Sequence, residues 1–115
     1  MINFNSKILL YSKPTDMRKS IDGLSILISN KLNLNPTDEV TFVFFNKAKN
    51  KIKILWWDTN KFILLYTRLE KQNFKIPMIK DKTIIIEKRE LGWLMEGLDF
   101  SKIKGHKKLK YKVFY

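Results

Sequence analysis

Three apolar runs in the middle of this chain constrain its fold more than any other feature. They span residues 40–46, 52–58 and 62–69 and are rich in the β-branched and aromatic side chains that strands favour. The loops between them, residues 47–51 and 58–61, are short and polar. This spacing predicts an antiparallel β-meander.

The register of the meander follows from its loops. With a two-residue turn at Thr59 and Asn60, one face carries four facing pairs: Trp57 with Phe62, Leu55 with Leu64, Lys53 with Tyr66, and Lys51 with Arg68. A four-residue loop at residues 47–50 adds Phe42 and Phe44 to this face. The opposite face is plainly a core face and carries Val43, Phe45, Ile52, Ile54, Trp56, Ile63 and Leu65. The first face is apolar at one end, where we expect a helix to cover it, and basic at the other.

Two helices and further short strands are predicted around the meander. Residues 8–11 form a short strand, and apolar residues three and four apart predict a helix over residues 16–32, with Thr15 or Asp16 as its N-cap. Residues 74–77 and 83–87 are compatible with short additional strands. A second helix begins at Glu87 or Lys88 and places four apolar residues on one face: Leu91, Leu94, Met95 and Leu98.

Length and composition predict one α+β domain, an antiparallel meander packed with two helices. A chain of 115 residues has the size of a single domain, and 44% hydrophobic residues are enough for a core. We expect a folded core over residues 1–101 and a basic tail over residues 102–115, with six lysines and no acid. The tail is interpreted as an electrostatic arm, with an edge strand as the alternative.

The net charge narrows the class of partner. The formal charge of +12, from 23 basic and 11 acidic residues, makes a polyanion the first candidate, with DNA or RNA ahead of an anionic membrane surface. AT-rich coding, which favours Lys, Asn and Ile, is an equally open explanation. The chain has no cysteine and no apolar run long enough for a signal peptide or a spanning helix. We therefore expect a soluble, cytoplasmic protein without membrane association.

The basic end of the first face is one candidate binding site. Lysines and an arginine surround an aromatic ring there, an arrangement that can hold phosphate and stack on a base. An ordinary solvated sheet edge, with lysines that deter aggregation, is the alternative. The residues concerned are Lys47, Lys49, Lys51, Lys53, Tyr66 and Arg68.

The start of the first predicted helix is a second candidate. Arg18 and Lys19 would oppose the helix dipole at this position, which hints at a role other than stability, such as phosphate binding. The alternative is an internal salt bridge between Arg18 and Asp22, which are four residues apart.

No set of residues in the sequence suggests catalysis. The single histidine, His106, lies among lysines in the tail, and Glu96 and Asp99 lack an evident third carboxylate for a divalent ion. No glycine-rich phosphate-binding motif is present. We therefore predict no catalytic residue, no metal site, no cofactor and no small-molecule substrate.

Four motifs in order resemble a known family, the accessory proteins encoded by the second reading frame of insertion sequence 66 type bacterial transposable elements. TDMRKSIDGL at residues 15–24 is similar to TDMRKxxDGL of that family, and FVFFNKAKNKIKILWWD at residues 42–58 to FVFxNRRRDRIKxLxWD. FILLYTRLE at residues 62–70 and LMEGLDF at residues 94–100 are similar to its KRLE and LLEGIDW segments. The lysines of the 47–50 loop and the glycine-free turn at Thr59 depart from the pattern.

The resemblance implies a non-catalytic role in transposition beside a separate transposase of the same element. One hypothesis is direct binding of element DNA through Arg18 and Lys19 and through the second basic cluster. The other is a protein–protein adaptor to the transposase, with Trp57 and its neighbours at the centre of the interface and no DNA binding of its own. A metal-dependent nuclease is a remote third.

Overall fold

A six-stranded sheet organises the chain in the computed structural model, which describes residues 4–5, 7–103 and, as backbone alone, 112–114. The strand order is β4-β3-β2-β1-β5-β6, and β1 runs parallel to β2 while all other neighbours are antiparallel. The strands are β1 (Lys7–Tyr11), β2 (Val40–Phe45), β3 (Lys51–Asp58), β4 (Lys61–Arg68), β5 (Thr83–Ile86) and β6 (Lys112–Phe114). Two α-helices, α1 (Ile21–Lys31) and α2 (Lys88–Met95), and a 3-10 helix, Phe100–Lys102, complete an α+β fold, as predicted.

The predicted meander is confirmed as β2, β3 and β4. Trp57 pairs with Phe62 and Lys51 with Arg68, as the two-residue turn requires. Thr59 adopts a positive φ of 58° in this turn, so the left-handed conformation is reached without glycine. Phe42 pairs with Leu55 in the predicted register of the first hairpin.

Each face of the sheet is covered by one helix. On the α1 face, Leu24 and Ile28 of the helix pack with alternate residues of β1 to β3, among them Leu9, Phe42 and Leu55. On the α2 face, Leu91 and Leu94 pack with a set that contains Ile8, Val43, Phe45, Ile54 and Trp56. The helix expected over the apolar end of the first face is therefore α1.

The strand β1 lies at the centre of the sheet, a position that the meander pattern did not predict. It pairs in parallel with β2 and antiparallel with β5, and its last four residues are buried. A strand buried on both faces needs a continuous apolar run, which ILLY supplies. Because α1 connects two parallel neighbours, β1, α1 and β2 form a β-α-β unit.

The predicted start of the first helix was wrong, and one of the additional short strands does not form. The helix α1 begins at Ile21, with Ser20 as its N-cap, and residues 16–19 lie outside it. Residues 74–77 form no strand; Phe74 is buried against the α2 face, and its N–H donates to the Lys49 carbonyl at 2.6 Å. Pro77 lacks the N–H that a strand ladder uses.

The helix α2 begins as predicted but ends earlier. Glu87 and Glu90 form a capping box, in which a Glu90 carboxylate oxygen accepts from the Glu87 N–H at 2.6 Å. Gly97, with a φ of +81°, ends the helix in a Schellman motif, and the Leu98 N–H donates to the Trp93 carbonyl at 3.0 Å. Leu98 therefore lies beyond the helix and is exposed, whereas the sequence pattern placed it on the apolar face.

The tail is described in part. Lys112–Phe114 pair with β5 as an antiparallel edge strand, which agrees with the alternative interpretation of these residues and not with a free arm. The remaining tail residues, 104–111 and 115, lie outside the described residues, and His106 is among them. None of the described helices is long and apolar enough to cross a membrane.

Candidate functional site

The two candidate binding segments meet in one place. A groove of about 520 Å³ runs between the turn at residues 15–18 and the loop that joins β2 to β3. We call it the basic groove; its lining residues are Thr15, Asp16, Met17, Arg18, Asn46, Lys47, Ala48, Lys51 and Tyr66. Two cation-bearing segments that are separated in the sequence by the whole of α1 and β2 thus form opposite walls of the same groove.

The turn before α1 is attached to the sheet through its first residue. The Thr15 N–H donates to the Phe45 carbonyl at the end of β2 (2.7 Å), and Thr15 is buried. Met17 packs into the α1-face core, while Arg18 points to solvent. Thr15 and Met17 therefore hold the turn against the protein, and the side chains of Asp16 and Arg18 face solvent.

The Asp16 carboxylate accepts hydrogen bonds from Arg18 and does not cap the helix. Its carboxylate accepts the Arg18 N–H at 2.9 Å and pairs with the Arg18 guanidinium through Nε at 3.0 Å and Nη2 at 2.8 Å. Hydrogen bonds from the Arg18 side chain, and then from its backbone, lower the pKa of Asp16 to about 2 from an ordinary value of 3.8. The alternative interpretation, a salt bridge between Arg18 and Asp22, was wrong. Arg18 precedes the helix, and its guanidinium forms an ion pair with Asp16.

The lysine-rich loop forming the other wall is held by two asparagines that the sequence analysis missed. The Asn46 Oδ1 accepts from the N–H groups of Asn50 (3.0 Å) and Lys51 (2.9 Å), and its Nδ2 donates to the Asn50 side chain at 2.7 Å. Lys49 adopts a positive φ of 60° in the loop. Two asparagines four residues apart around a turn are the signal that could have identified this clamp.

Lys53, on β3, is hydrogen-bonded to the segment that follows the turn. Its ammonium donates to the Lys19 carbonyl at 2.7 Å and lies 5.7 Å from the centre of the Tyr66 ring. Lys53 was predicted as part of the basic cluster, and in the structure one N–H of its ammonium is used in this internal hydrogen bond. Lys19 itself lies beside the groove, with its side chain against Gly23, where an added Cβ would come within 3.2 Å of it.

Three other predicted site residues do not line the groove: Lys49, Arg68 and Trp57. Arg68 pairs with Glu70 at 2.6 Å, and this carboxylate raises the pKa of the guanidinium. Trp57 is at the far end of the same strand as Lys51, roughly 20 Å away along β3. Its ring packs edge-to-face on Phe62 at 4.9 Å between centroids, so it is half-buried and belongs to the apolar end of the α1 face.

The charge of the groove is mainly uncompensated. Within the described residues, Lys47 and Lys51 form no ion pair, and the one carboxylate in the groove is paired with Arg18. Tyr66 is 48% exposed, which is high for a large aromatic side chain in a strand. The groove can therefore present the ammonium groups of Lys47 and Lys51 and the exposed ring of Tyr66 to an anionic ligand that carries aromatic groups. The guanidinium of Arg18 also lines the groove and is paired with Asp16.

Carboxylates elsewhere in the described chain do not converge. No group of three or more His, Asp or Glu residues in that part of the chain could hold a metal ion. Asp99, one of the two acids considered for such a role, caps the 3-10 helix, and its Oδ1 accepts from the Ser101 N–H at 3.1 Å.

Comparisons with known proteins show similarity to one family. The model of the family described as IS66 Orf2 like protein matches residues 6–105. The uncharacterized protein y4jC of Sinorhizobium fredii (strain NBRC 101917 / NGR234) is 30% identical over 98 residues, covering 85% of this chain and 84% of that protein. The uncharacterized protein y4hO of the same strain is 29% identical over 96 residues, covering 84% of each chain. No solved structure matches the chain significantly.

Proposed function

Because the chain belongs to the IS66 Orf2-like family, the accessory proteins of a class of bacterial insertion sequence, we propose that it assists transposition by binding the DNA of its element through the basic groove. The observation that carries this proposal is that Lys47 and Lys51, which form no ion pair in the described residues, line one groove with the exposed ring of Tyr66. The phosphate backbone of DNA dominates protein–DNA affinity, and such a concentration of cations meets that requirement.

The lining of the groove favours contact with the sugar–phosphate backbone. Lysine offers a point charge that a phosphate can approach from several directions, whereas the planar guanidinium of Arg18 is already oriented by Asp16. Backbone contacts of this kind set position and affinity and carry little sequence information. The proposal therefore assigns selection of the element's ends to another component, for which the transposase encoded by the same element is the natural candidate.

In this proposal the chain supplies no catalytic group. The one carboxylate that lines the groove, that of Asp16, is paired with Arg18. Strand transfer and cleavage would then belong to the separate transposase, and the accessory protein would act by holding DNA.

The adaptor hypothesis, in which the aromatic face binds the transposase, has less support from the packing. Leu55 is buried beneath α1, and Phe62 and Leu64 pack against the same core, so little of this face is open to a partner. Part of the Trp57 ring is covered by its edge-to-face contact with Phe62. An adaptor role remains an outcome of the experiment below.

The experiment is a titration of pure protein into element-end DNA and random DNA across a salt series, with and without transposase. The test variant is the double substitution Lys47→Gln and Lys51→Gln. If each lysine neutralises one phosphate, the double variant lowers the slope of log affinity against log salt by about two, because each lost contact releases about one counterion fewer.

The matched control is the double substitution Lys75→Gln and Lys88→Gln. It removes the same total charge from exposed positions near buried residues of the α2 face. The salt slope of this control should stay close to that of the unmodified protein. Equal losses in both variants would contradict a localised site, and binding to transposase without any affinity for DNA alone would favour the adaptor.

A further inference from the structure

The strand β4 forms one edge of the sheet, and this edge is unusually open. It has eight residues, Lys61–Arg68, and pairs with β3 without interruption. No other strand of the described residues pairs with its outer side. The opposite edge is the short strand β6, of three residues.

The usual protections of an edge strand are absent from β4. Native proteins blunt edges with proline, bulges, short strands or inward-pointing charges. The sequence of β4, KFILLYTR, contains no proline, its register shows no bulge, and its charges are confined to the two ends. A long apolar edge of this kind is a template for pairing with another strand.

The backbone groups available for pairing can be identified. The Leu69 N–H donates to the Asn50 carbonyl at 2.9 Å, on the β3 side. In an antiparallel strand the N–H and C=O of one residue point to the same side, and successive residues alternate between the two sides. Because Leu69 points towards β3, the backbone groups of Phe62, Leu64 and Tyr66 point away from it. Each of these three residues presents one N–H and one C=O along the outer edge.

We propose that β4 pairs antiparallel with β4 of a second copy of this chain, across a two-fold axis at Leu64. In this register Leu64 meets Leu64 of the second copy, and Phe62 meets Tyr66 of the second copy. All of these outward groups then find partners, because each facing pair consists of outward-pointing residues. The result is one continuous sheet through both copies.

The side chains favour this occupant because the strand is self-complementary in the same register. Phe62 and Leu64 pack against the α1-face core, and Ile63 and Leu65 against the α2-face core. Pairing therefore extends both cores across the axis, with two equivalent Phe62–Tyr66 pairs on one face. Lys61 faces Thr67 of the second copy, so no two charged residues stand directly opposite each other.

The test measures the oligomeric state by sedimentation equilibrium over a range of protein concentrations, without DNA. The variant Leu64→Pro removes the outward N–H while sparing the ladder to β3, and Leu64→Ala is its matched control, which loses the side chain but keeps the N–H. Two hydrogen bonds are lost per dimer, so Leu64→Pro should dimerise roughly tenfold or more weakly than Leu64→Ala. A monomer at all concentrations, or equal dimerisation of both variants, would overturn the proposal.

Amide hydrogen exchange of the unmodified protein gives a second readout that does not depend on a folded proline variant. The N–H groups of Phe62, Leu64 and Tyr66 should gain protection as the protein concentration rises, while those of Ile63 and Leu65 stay protected throughout. A dimer in which the outward amides exchange freely would overturn the proposal, as would protection that appears only when transposase is added. Neither readout involves DNA, so the proposed function can fail or succeed separately.

Discussion

At the scale of single residues, local hydrogen bonds decide which charges the groove can offer. Arg18 looks like an available cation in the sequence, yet its guanidinium pairs with both carboxylate oxygens of Asp16, through Nε to Oδ1 and Nη2 to Oδ2. The Lys53 ammonium likewise donates a hydrogen bond to the Lys19 carbonyl. The ammonium groups of Lys47 and Lys51 are available to a ligand, because no carboxylate of the described chain pairs with them.

The Asp16–Arg18 pair predicts a specific titration. The folded-state pKa of Asp16, about 2, is lower than its ordinary 3.8, so the pairing stabilises the turn above about pH 4 and is lost as the pH falls through 2. Asp16 is fully charged from about pH 5 to 8, and the pair contributes no pH dependence there. An NMR titration of the Asp16 carboxyl carbon should show this pKa, and Arg18→Gln should return it towards 3.8.

The substitution Arg68→Gln is the matched control for that titration. It removes a guanidinium that pairs with Glu70 and leaves Asp16 untouched. A similar change of the Asp16 pKa in both variants would show that general charge, and not the bidentate contact, lowers it.

The asparagine clamp predicts a loss of stability when its hydrogen bonds are removed. Asn46→Ala removes three hydrogen bonds from the loop at residues 47–50, two of them to N–H groups. Net losses of about 1 kcal/mol per hydrogen bond suggest that the free energy of unfolding falls by about 1–3 kcal/mol in a urea titration. Asn46→Asp keeps the acceptor and should lose less stability, although its charge should weaken DNA binding. Equal stability of the Ala variant and the unmodified protein would rule out the clamp.

At the scale of elements, the groove depends on how one turn is fastened to a hairpin. The turn is attached at Thr15 by the Phe45 carbonyl and at Lys19 by the Lys53 ammonium. These two attachments come from neighbouring strands, β2 and β3. The position of Arg18 is therefore set by the sheet and not by α1, whose first residue is Ile21.

We expect Lys53 to act as a positioning residue, and its removal tests that role. Lys53→Met keeps the apolar stem and removes the ammonium that holds the Lys19 carbonyl. Loss of one charge-assisted hydrogen bond should weaken DNA binding about fivefold and speed amide exchange in residues 16–19. Weaker binding with unchanged exchange in the turn would instead identify Lys53 as a direct phosphate contact.

At the scale of the whole molecule, the β4 pairing and the basic groove can be combined. A two-fold axis perpendicular to the sheet leaves both α1 faces, and so both grooves, on the same side of the dimer. Strand spacing and rise place the two Lys51 residues roughly 30 Å apart across an axis at Leu64. This separation is close to one turn of B-form DNA, about 34 Å.

The combined geometry predicts two protein chains per DNA site. A duplex of about two helical turns should bind two chains cooperatively, with contacts spaced by about 10 base pairs in a footprinting experiment. Leu64→Pro should abolish the cooperativity while leaving the affinity for a duplex of one helical turn nearly unchanged. Cooperative binding that survives in this variant would disconnect the dimer from DNA binding.

The sequence alone determined the elements whose contacts are local. The pairing of Lys51 with Arg68 and of Phe42 with Leu55 was predictable because short loops leave few registers and alternation selects one that buries the apolar face. The family was also predictable, since four motifs occur in order along the chain, and the family match confirms it. The core role of Trp56 followed from the same alternation.

The tertiary structure decided what depends on contacts between distant segments. The insertion of β1 between β2 and β5 could not be derived from a short apolar run, because many partners satisfy such a strand equally well. The start of α1 at Ile21 depends on Thr15 reaching the Phe45 carbonyl, which withdraws the preceding residues from the helix. The basic groove arises in the same way: its two walls meet only because the parallel β1–β2 pairing brings the turn before α1 to the loop after β2.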